Sequence, residues 1–379
     1  GIMRCREFYM KDAYSFDSDL DAADDSYDLM EQAYKNIFTR CGLSIVMAEA
    51  DSGAIGGRDS HEFIQPTPVG EDTILVCNTC NYAANVERAA SRVHHPPKEE
   101  LKPAEEVATP GVTTIPELAS YLGLPEEKTL KAVLYMCDGE MIFVVVRGDL
   151  EVNELKLKNV LEVQELRLAS NEEVEKAGLV AGYASPVGLE NIRRIADHSI
   201  DAGSNFVAGA NKQDAHIINA NYPRDFEVDL VTDIALARNR DRCPKCDSPL
   251  EATRGIEVGH IFYFGDKYSK PMKCSVDNKG GKKTFVKMGS YGIGVSRLVA
   301  AIIEAKYNNE KMKWPTSVSP FDIVIIPSIN KNDDSNMKKA RKIYDELKKN
   351  NIDVLLDDGT SITPTKSIFI LLVFIRKYS

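Results

Sequence analysis

The chain has 379 residues, enough for two or three domains with cores of their own. Hydrophobic residues make up 43% and charged residues 27%, as in a globular protein, and no apolar run reaches the ~20 residues that span a bilayer. A net charge of −10 excludes a global positive field, so any nucleic-acid partner has to be met by local basic patches.

In chain order, Glu7 to Phe16 predicts a strand entering a turn. Asp21 to Arg40 predicts a long amphipathic helix, with Leu29, Ala33, Ile37 and Phe38 near helical spacing and Gly42 as its stop. Ser44 to Ala50 predicts a short strand. Residues 91–107, with Pro96, Pro97 and Pro103, predict a linker. A separate α+β module follows over 108–232. In it, Thr114-Ile-Pro-Glu117 and Ser170-Asn-Glu-Glu173 are capping boxes, and Asp138-Gly139 between two apolar runs signals a hairpin. Trp314-Pro315 and Ser319-Pro320 mark another boundary. The strand–helix–strand pattern beyond them, 322–327, 336–350 and 352–356, predicts a parallel sheet with a basic helix.

Four of the eight cysteines form two pairs, Cys77-x-x-Cys80 and Cys243-x-x-Cys246. No secretory signal opens the sequence, which favours reduced thiols or a metal over a disulfide framework. The most informative stretch is Met288-Gly-Ser-Tyr-Gly-Ile-Gly-Val-Ser-Arg-Leu298. Gly289, Gly292 and Gly294 allow a backbone to lie flat against a ligand or a neighbouring segment. Arg297 follows on the first turn of an apolar helix, where a planar cation suits phosphate oxygens. Alone, the glycines favour an ordinary turn.

Three separated phrases change that balance: Arg4 to Phe16, Arg254 to Phe262 and Gly289 to Arg297. In this order they resemble the bacterial-type prolyl-tRNA synthetases, a class II family, from residue 2 to about 358. The resemblance implies an α+β chain built on an antiparallel sheet flanked by helices. The sheet would be split over 1–90 and 235–312. An inserted editing domain would occupy 108–232, and an α/β anticodon-binding domain would begin near 318. The implied reaction is ATP-dependent activation of L-proline and transfer to tRNA(Pro) in the cytoplasm, with no membrane partner.

By resemblance, Arg4, Phe8 and Asp12 belong to an ATP site with Gly292, Gly294 and Arg297. Arg4 would meet phosphate and Phe8 would stack on adenine, although without the family Phe8 reads by default as a core strand residue. Glu257 is expected to hold Mg²⁺ and, with Arg4 and Arg297, to serve catalysis. His61, Glu62 and His260 are the proline-pocket residues, although a lone histidine is more often structural.

A proline pocket rejects smaller alanine by only ~1–3 kcal/mol, so a second, hydrolytic site is useful. By resemblance, Lys128, Asp197, Gly209, Asn211 and His216 form it and clear Ala-tRNA(Pro). Lys128 also reads as a solvated helix-end lysine, and Asp197 as a cap or a partner of Arg193 or Arg194. Cys77, Cys80, Cys243 and Cys246 flank the insertion at both ends and suit one structural zinc or four free thiols.

The sequence departs from the family at both ends. The dimer-forming motif 1 and the leading motif 2 arginine are not in it, which puts the family's homodimer in doubt and predicts weak or no proline-dependent pyrophosphate exchange. Gly359 to Ser379, with the apolar run Ser367 to Ile375, reads as an aberrant tail. An editing-only hydrolase and a non-catalytic fragment are the alternatives.

Overall fold

A computed structural model describes residues 3–92, 99–278, 280–308, 311–327, 334–358 and 372–373. A seven-stranded sheet runs in the order Met10–Asp17, Lys287–Gly294, Glu251–Gly265, Asp59–Pro66, Val46–Glu49, Ala83–Asn85, Asp72–Val76. Its long strand, Glu251–Gly265, is antiparallel to two partners. Its first residues pair with Asp72–Val76, and the remainder pairs with Asp59–Pro66 across a register shift between Glu257 and Gly259. Phe63, Ile64, Ile74 and Leu75 are fully buried on these strands and anchor them.

The chain divides into two compact units. One comprises Ala13–Ser26 and Val46–Tyr291, and holds most of the sheet together with the whole insertion. In the insertion, a five-stranded sheet runs Leu230–Thr232, Arg193–Asp197, Glu140–Arg147, Leu130–Cys137, Leu166–Leu168. The unbroken apolar run Ile142 to Val146 is explained by this position. Its strand is central, parallel to Arg193–Asp197 on one side, and buried on both faces. The hairpin turns at Asp138 and Gly139, both with positive φ (46° and 91°), as the Asp-Gly pair predicts.

Helices Ile115–Leu122 and Asn171–Lys176 open on the two expected capping boxes, each of them reciprocal. Such caps stabilise a helix by ~1 kcal/mol. One boundary needs correction. Residues 105–107, read as linker, belong with Ala108 to strand Glu105–Ala108, the edge of a three-stranded sheet with Ala215–Ala220 and Phe206–Gly209. The prolines before it misled, because the extended conformation they favour is also that of an edge strand.

The other unit comprises Gly1–Asp12, Tyr27–Ile45 and Gly292–Ser379. Ile323–Ile325 and Val354–Leu356 are parallel neighbours, and the basic helix Ser335–Lys349 lies between them in sequence, as predicted. Of the apolar tail, only Leu372–Val373 is described, as a strand antiparallel to Ile323–Ile325. The rest of 359–379 lies outside the described residues. No helix among the described residues is long and apolar enough to cross a membrane.

Candidate functional site

The residues expected at nucleotide all fall in the second unit. Gly294 is the N-cap of helix Val295–Lys306, so Arg297 stands on its first turn. The segment that leads into strand Met10–Asp17 is bonded to this turn. The Tyr9 amide donates to Ser296 Oγ at 2.9 Å, the Ser296 amide to Tyr9 O at 3.4 Å, and Arg297 Nε to Met3 O at 3.2 Å. The backbone carrying Arg4 and Phe8 is therefore held against the backbone carrying Arg297. Arg4, Phe8 and Asp12 are exposed, and Phe8 at 59% is not a core residue. Of the glycines in the phrase, Gly289 has a packing reason: an added Cβ would lie 2.1 Å from Tyr291 Oη.

The proline-pocket residues lie in the first unit. Strand register places His260 directly opposite Glu62. Glu257, three residues earlier on the same strand, brings its Oε1 to 3.2 Å from His260 Nδ1, and Glu62 Oε1 lies 3.9 Å from the same nitrogen. The three ligand-type groups lie within 4.8 Å of one another. Burial, reinforced by the negative charges of Glu257 and Asp72, pushes the Glu62 carboxyl up to about 8. The His260 ring stacks on Phe262 at 3.9 Å, and its Nε2 is buried without a hydrogen-bond partner among the described residues. His61 does not join this cluster. As the strand neighbour of Glu62 it leaves the opposite face, where it lines a separate cavity of about 420 Å³ with Asp51, Arg58 and Asn159.

Within the insertion, His216 is buried at 4% exposure and pairs in register with Gly209. Its Nδ1 meets Thr109 Oγ1 at 2.6 Å, and its ring lies 5.5 Å from that of Tyr183. Burial lowers the imidazole's pKa, which favours the neutral ring. Both Gly209 and His216 line a cavity of about 280 Å³ whose other walls include Leu118, Leu130, Val174 and Ala184. Gly209 admits no side chain, because a Cβ would stand 2.2 Å from Tyr183 O and 2.4 Å from Ala184 O. Asn211 ties down the same strap of chain. The Ser185 amide donates to Asn211 Oδ1 at 2.9 Å, and the Asn211 amide to Tyr183 O at 2.9 Å.

Two expected editing residues do not line this cavity. Asp197 is buried, and its carboxylate accepts the amides of Ser199, Ile234 and Ala235 at 2.8, 3.1 and 2.9 Å. It caps backbone, as one of the sequence alternatives held, and does not line the cavity. Lys128 is also absent from that lining. Its Nζ donates to Glu99 Oε1 at 2.7 Å and to Ser204 O at 3.1 Å. Thr109, Tyr183 and Asp214 were missed. The Tyr183 hydroxyl and the Gly111 amide both donate to Asp214 Oδ1, at 3.0 and 2.8 Å. Asp214 lies inside the phrase that pointed to His216, but its partners come from about 30 and 100 residues away, which spacing cannot reveal.

The four paired cysteines converge. Cys77 Sγ lies 3.5 Å from Cys246 Sγ and Cys80 Sγ 3.5 Å from Cys243 Sγ, with all four sulfurs within 4.8 Å of one another.

Residues 109–225 match the family model described as the aminoacyl-tRNA editing domain. The chain is 49% identical over 360 residues to a proline–tRNA ligase of Halothermothrix orenii and 48% identical over 358 residues to one of Dehalococcoides mccartyi. Each alignment covers 94% of this chain. The chain is a homologue of the bacterial proline–tRNA ligases. It spans 63% of the length of these relatives. A solved structure described as a putative trans-editing enzyme for prolyl tRNA synthetase overlaps 35% of this chain and 87% of its own, at 19% identity and a TM-score of 0.32. That likeness is too weak to argue from. The proline–tRNA ligase homology and the α+β sheets agree with the class II plan with an inserted editing domain.

Proposed function

We propose that this chain carries the sites of a proline–tRNA ligase that activates L-proline with ATP, transfers it to tRNA(Pro) and clears Ala-tRNA(Pro) by hydrolysis. The observation that carries the editing part is His216, fixed by Thr109 in a small, mostly apolar cavity inside the region matching the editing domain. A cavity of about 280 Å³ suits a short apolar aminoacyl group. The neutral imidazole orients that group while a water attacks its ester carbonyl. The 3′ oxygen of the tRNA leaves with a proton, giving free alanine. Gly209 and Asn211 serve the site by holding the strap at 183–185 in place. Lys128 would reach tRNA phosphate only by exchanging its present partner Glu99 for it.

On the synthetic side, Arg297 and Arg4 would meet nucleotide phosphates, Phe8 the adenine, and Asp12 and Gly292–Gly294 the rest of the nucleotide. Mg²⁺ bound with the nucleotide would offset charge as the proline carboxylate displaces pyrophosphate from the α-phosphorus. Glu257 and Glu62 give the proline pocket a negative wall for the cationic amine, and an arriving ammonium would favour ionised Glu62. The exposed cations of helix Ser335–Lys349, such as Lys338, Arg341 and Lys342, suit the tRNA backbone. Zinc on Cys77, Cys80, Cys243 and Cys246 would be structural, since none of these thiols touches either site.

A second reading, an editing-only hydrolase, is favoured by one feature: every editing residue lies in one compact unit. Two assays on the purified chain separate the readings. Deacylation of Ala-tRNA(Pro) with proline-dependent pyrophosphate exchange supports the full activity, and deacylation without exchange supports the hydrolase. Failure to hydrolyse Ala-tRNA(Pro) would overturn both.

A further inference from the structure

The two cysteine pairs are built to the same plan, although 162 residues separate Cys80 from Cys243. The Cys77 amide donates to Tyr82 O at 2.7 Å, and the Cys243 amide donates to Ser248 O at 2.7 Å, five residues on in both cases. Asn81 and Asp247, the fourth residue after each leading cysteine, both adopt positive φ (60° and 64°). The amide two residues after each leading cysteine faces its sulfur, Thr79 to Cys77 and Lys245 to Cys243, the latter at 3.4 Å. The amides of Tyr82 and Ser248 likewise face Cys80 and Cys246. A backbone amide thus faces each of the four sulfurs.

The sulfur positions fit a tetrahedral zinc. Zn–S bonds of ~2.3 Å place tetrahedral sulfurs roughly 3.8 Å apart. The facing pairs stand at 3.5 Å, far beyond the ~2.05 Å of a disulfide.

The location is informative as well. The pairs sit at the ends of adjacent strands, where Val76 is registered with Glu251. Chain leaves for the insertion past Cys80 and returns just before Cys243. Around the sulfurs lies only a small cluster, with Leu75, Tyr82, Ala84, Ala89, Ala237 and Leu250. The outgoing and returning segments meet beside it. Arg92 and Arg242 exchange backbone hydrogen bonds at 2.8 and 3.1 Å, and Ser91 Oγ donates to Asp241 at 3.1 Å. Asn153 Nδ2, from the insertion, donates to Val86 O and Glu87 O at 3.3 and 3.0 Å.

We infer that these two matched knuckles share one zinc ion and that the centre is a latch, fastening the insertion to the central sheet at its two chain crossings. This rests on the zinc reading above and adds a role to it. A satellite cluster of this size holds two crossing segments weakly, and a shared metal supplies what the apolar contacts lack. Loss of the ion would release both crossings together. The insertion would remain folded, because its own two cores are larger than this cluster.

The test uses the full chain, purified under reducing conditions. Elemental analysis is expected to find one zinc per chain. Metal removal by a strong zinc chelator, and separately the Cys80→Ser/Cys246→Ser variant, is followed by hydrogen exchange. Residues 86–92 and 235–250 are expected to exchange at least about tenfold faster, while strands Leu130–Cys137 and Glu140–Arg147 keep their protection. Restoring zinc to the stripped wild-type chain is expected to restore both crossings. Zinc-free protein with four titratable thiols would overturn the metal reading. Bound zinc whose removal leaves the crossings unchanged would overturn the latch alone. Loss of protection throughout the insertion would also overturn the latch, by making the ion a requirement for folding.

Discussion

Two inward-facing histidines of the same compact unit are handled in opposite ways. His216 has its Nδ1 satisfied by the Thr109 hydroxyl, and burial keeps its ring neutral. His260 turns its Nδ1 toward two carboxylates, one of them pushed up to about 8, and its Nε2 is buried with no hydrogen-bond partner among the described residues. The first is a finished network that shapes a cavity. The second stores an unmet electrostatic demand, the condition of a pocket completed by a charged ligand. Asp197 extends the contrast. It is as buried as any acid among the described residues, but three backbone amides satisfy it, and it does not line the cavity. Burial of a polar group is thus by itself a poor guide to function.

Substitutions can break this contrast. The largest effect is expected at His216. His216→Ala should slow Ala-tRNA(Pro) deacylation by roughly 10²-fold, within the range for loss of one positioned catalytic-site group. Binding of proline, followed by calorimetry, should not change. His260→Ala should do the reverse, and if either change impaired both sites the two would not be independent. Gly209→Ala should come next. The backbone at 183–184 leaves no room for a methyl group, so deacylation should fall at least about tenfold and thermal stability should drop by ~1–3 kcal/mol of overpacking.

Glu62→Gln sharpens the comparison through pH. The native carboxyl holds its proton up to about pH 8, while an unfolded glutamate loses it near ~4.3. The native state therefore binds more protons across that window, and wild-type stability falls as pH rises through it. The variant has no such loss. Its melting temperature should exceed that of wild type by roughly 2–4 °C at pH 8.5, with the difference vanishing near pH 4. An equal difference at both pH values would remove Glu62 as its source. The smallest effect is expected for Thr109→Val, which keeps the shape and removes the hydroxyl at His216. Deacylation should fall by roughly threefold to tenfold, for one hydrogen bond worth ~0.5–1.5 kcal/mol.

Much of this was legible in the chain. Local chemistry announced the capping boxes at Thr114 and Ser170, the turn at Asp138-Gly139 and the helix bearing Arg297, because each depends on residues close in sequence. The first helix begins at Leu20, one residue before its predicted start, since Asp19 accepts the Ala22 amide at 2.9 Å and acts as its cap. Family phrases led to His216, Gly209 and Glu62. They did not reveal that His61 and Glu62 part to opposite faces, a consequence of strand alternation applied to neighbours. Nor did they reveal Thr109 or Tyr183, whose roles come from pairings about 107 and 31 residues long, to His216 and Asp214. Nor does residue type record that three backbone amides converge on Asp197.

The most direct measurement compares deacylation of Ala-tRNA(Pro) and Pro-tRNA(Pro) by the 379-residue chain and its His216→Ala variant. The account expects rapid loss of alanine, sparing of proline, and near-background hydrolysis by the variant. Equal hydrolysis of both esters, or full activity without the imidazole, would contradict it.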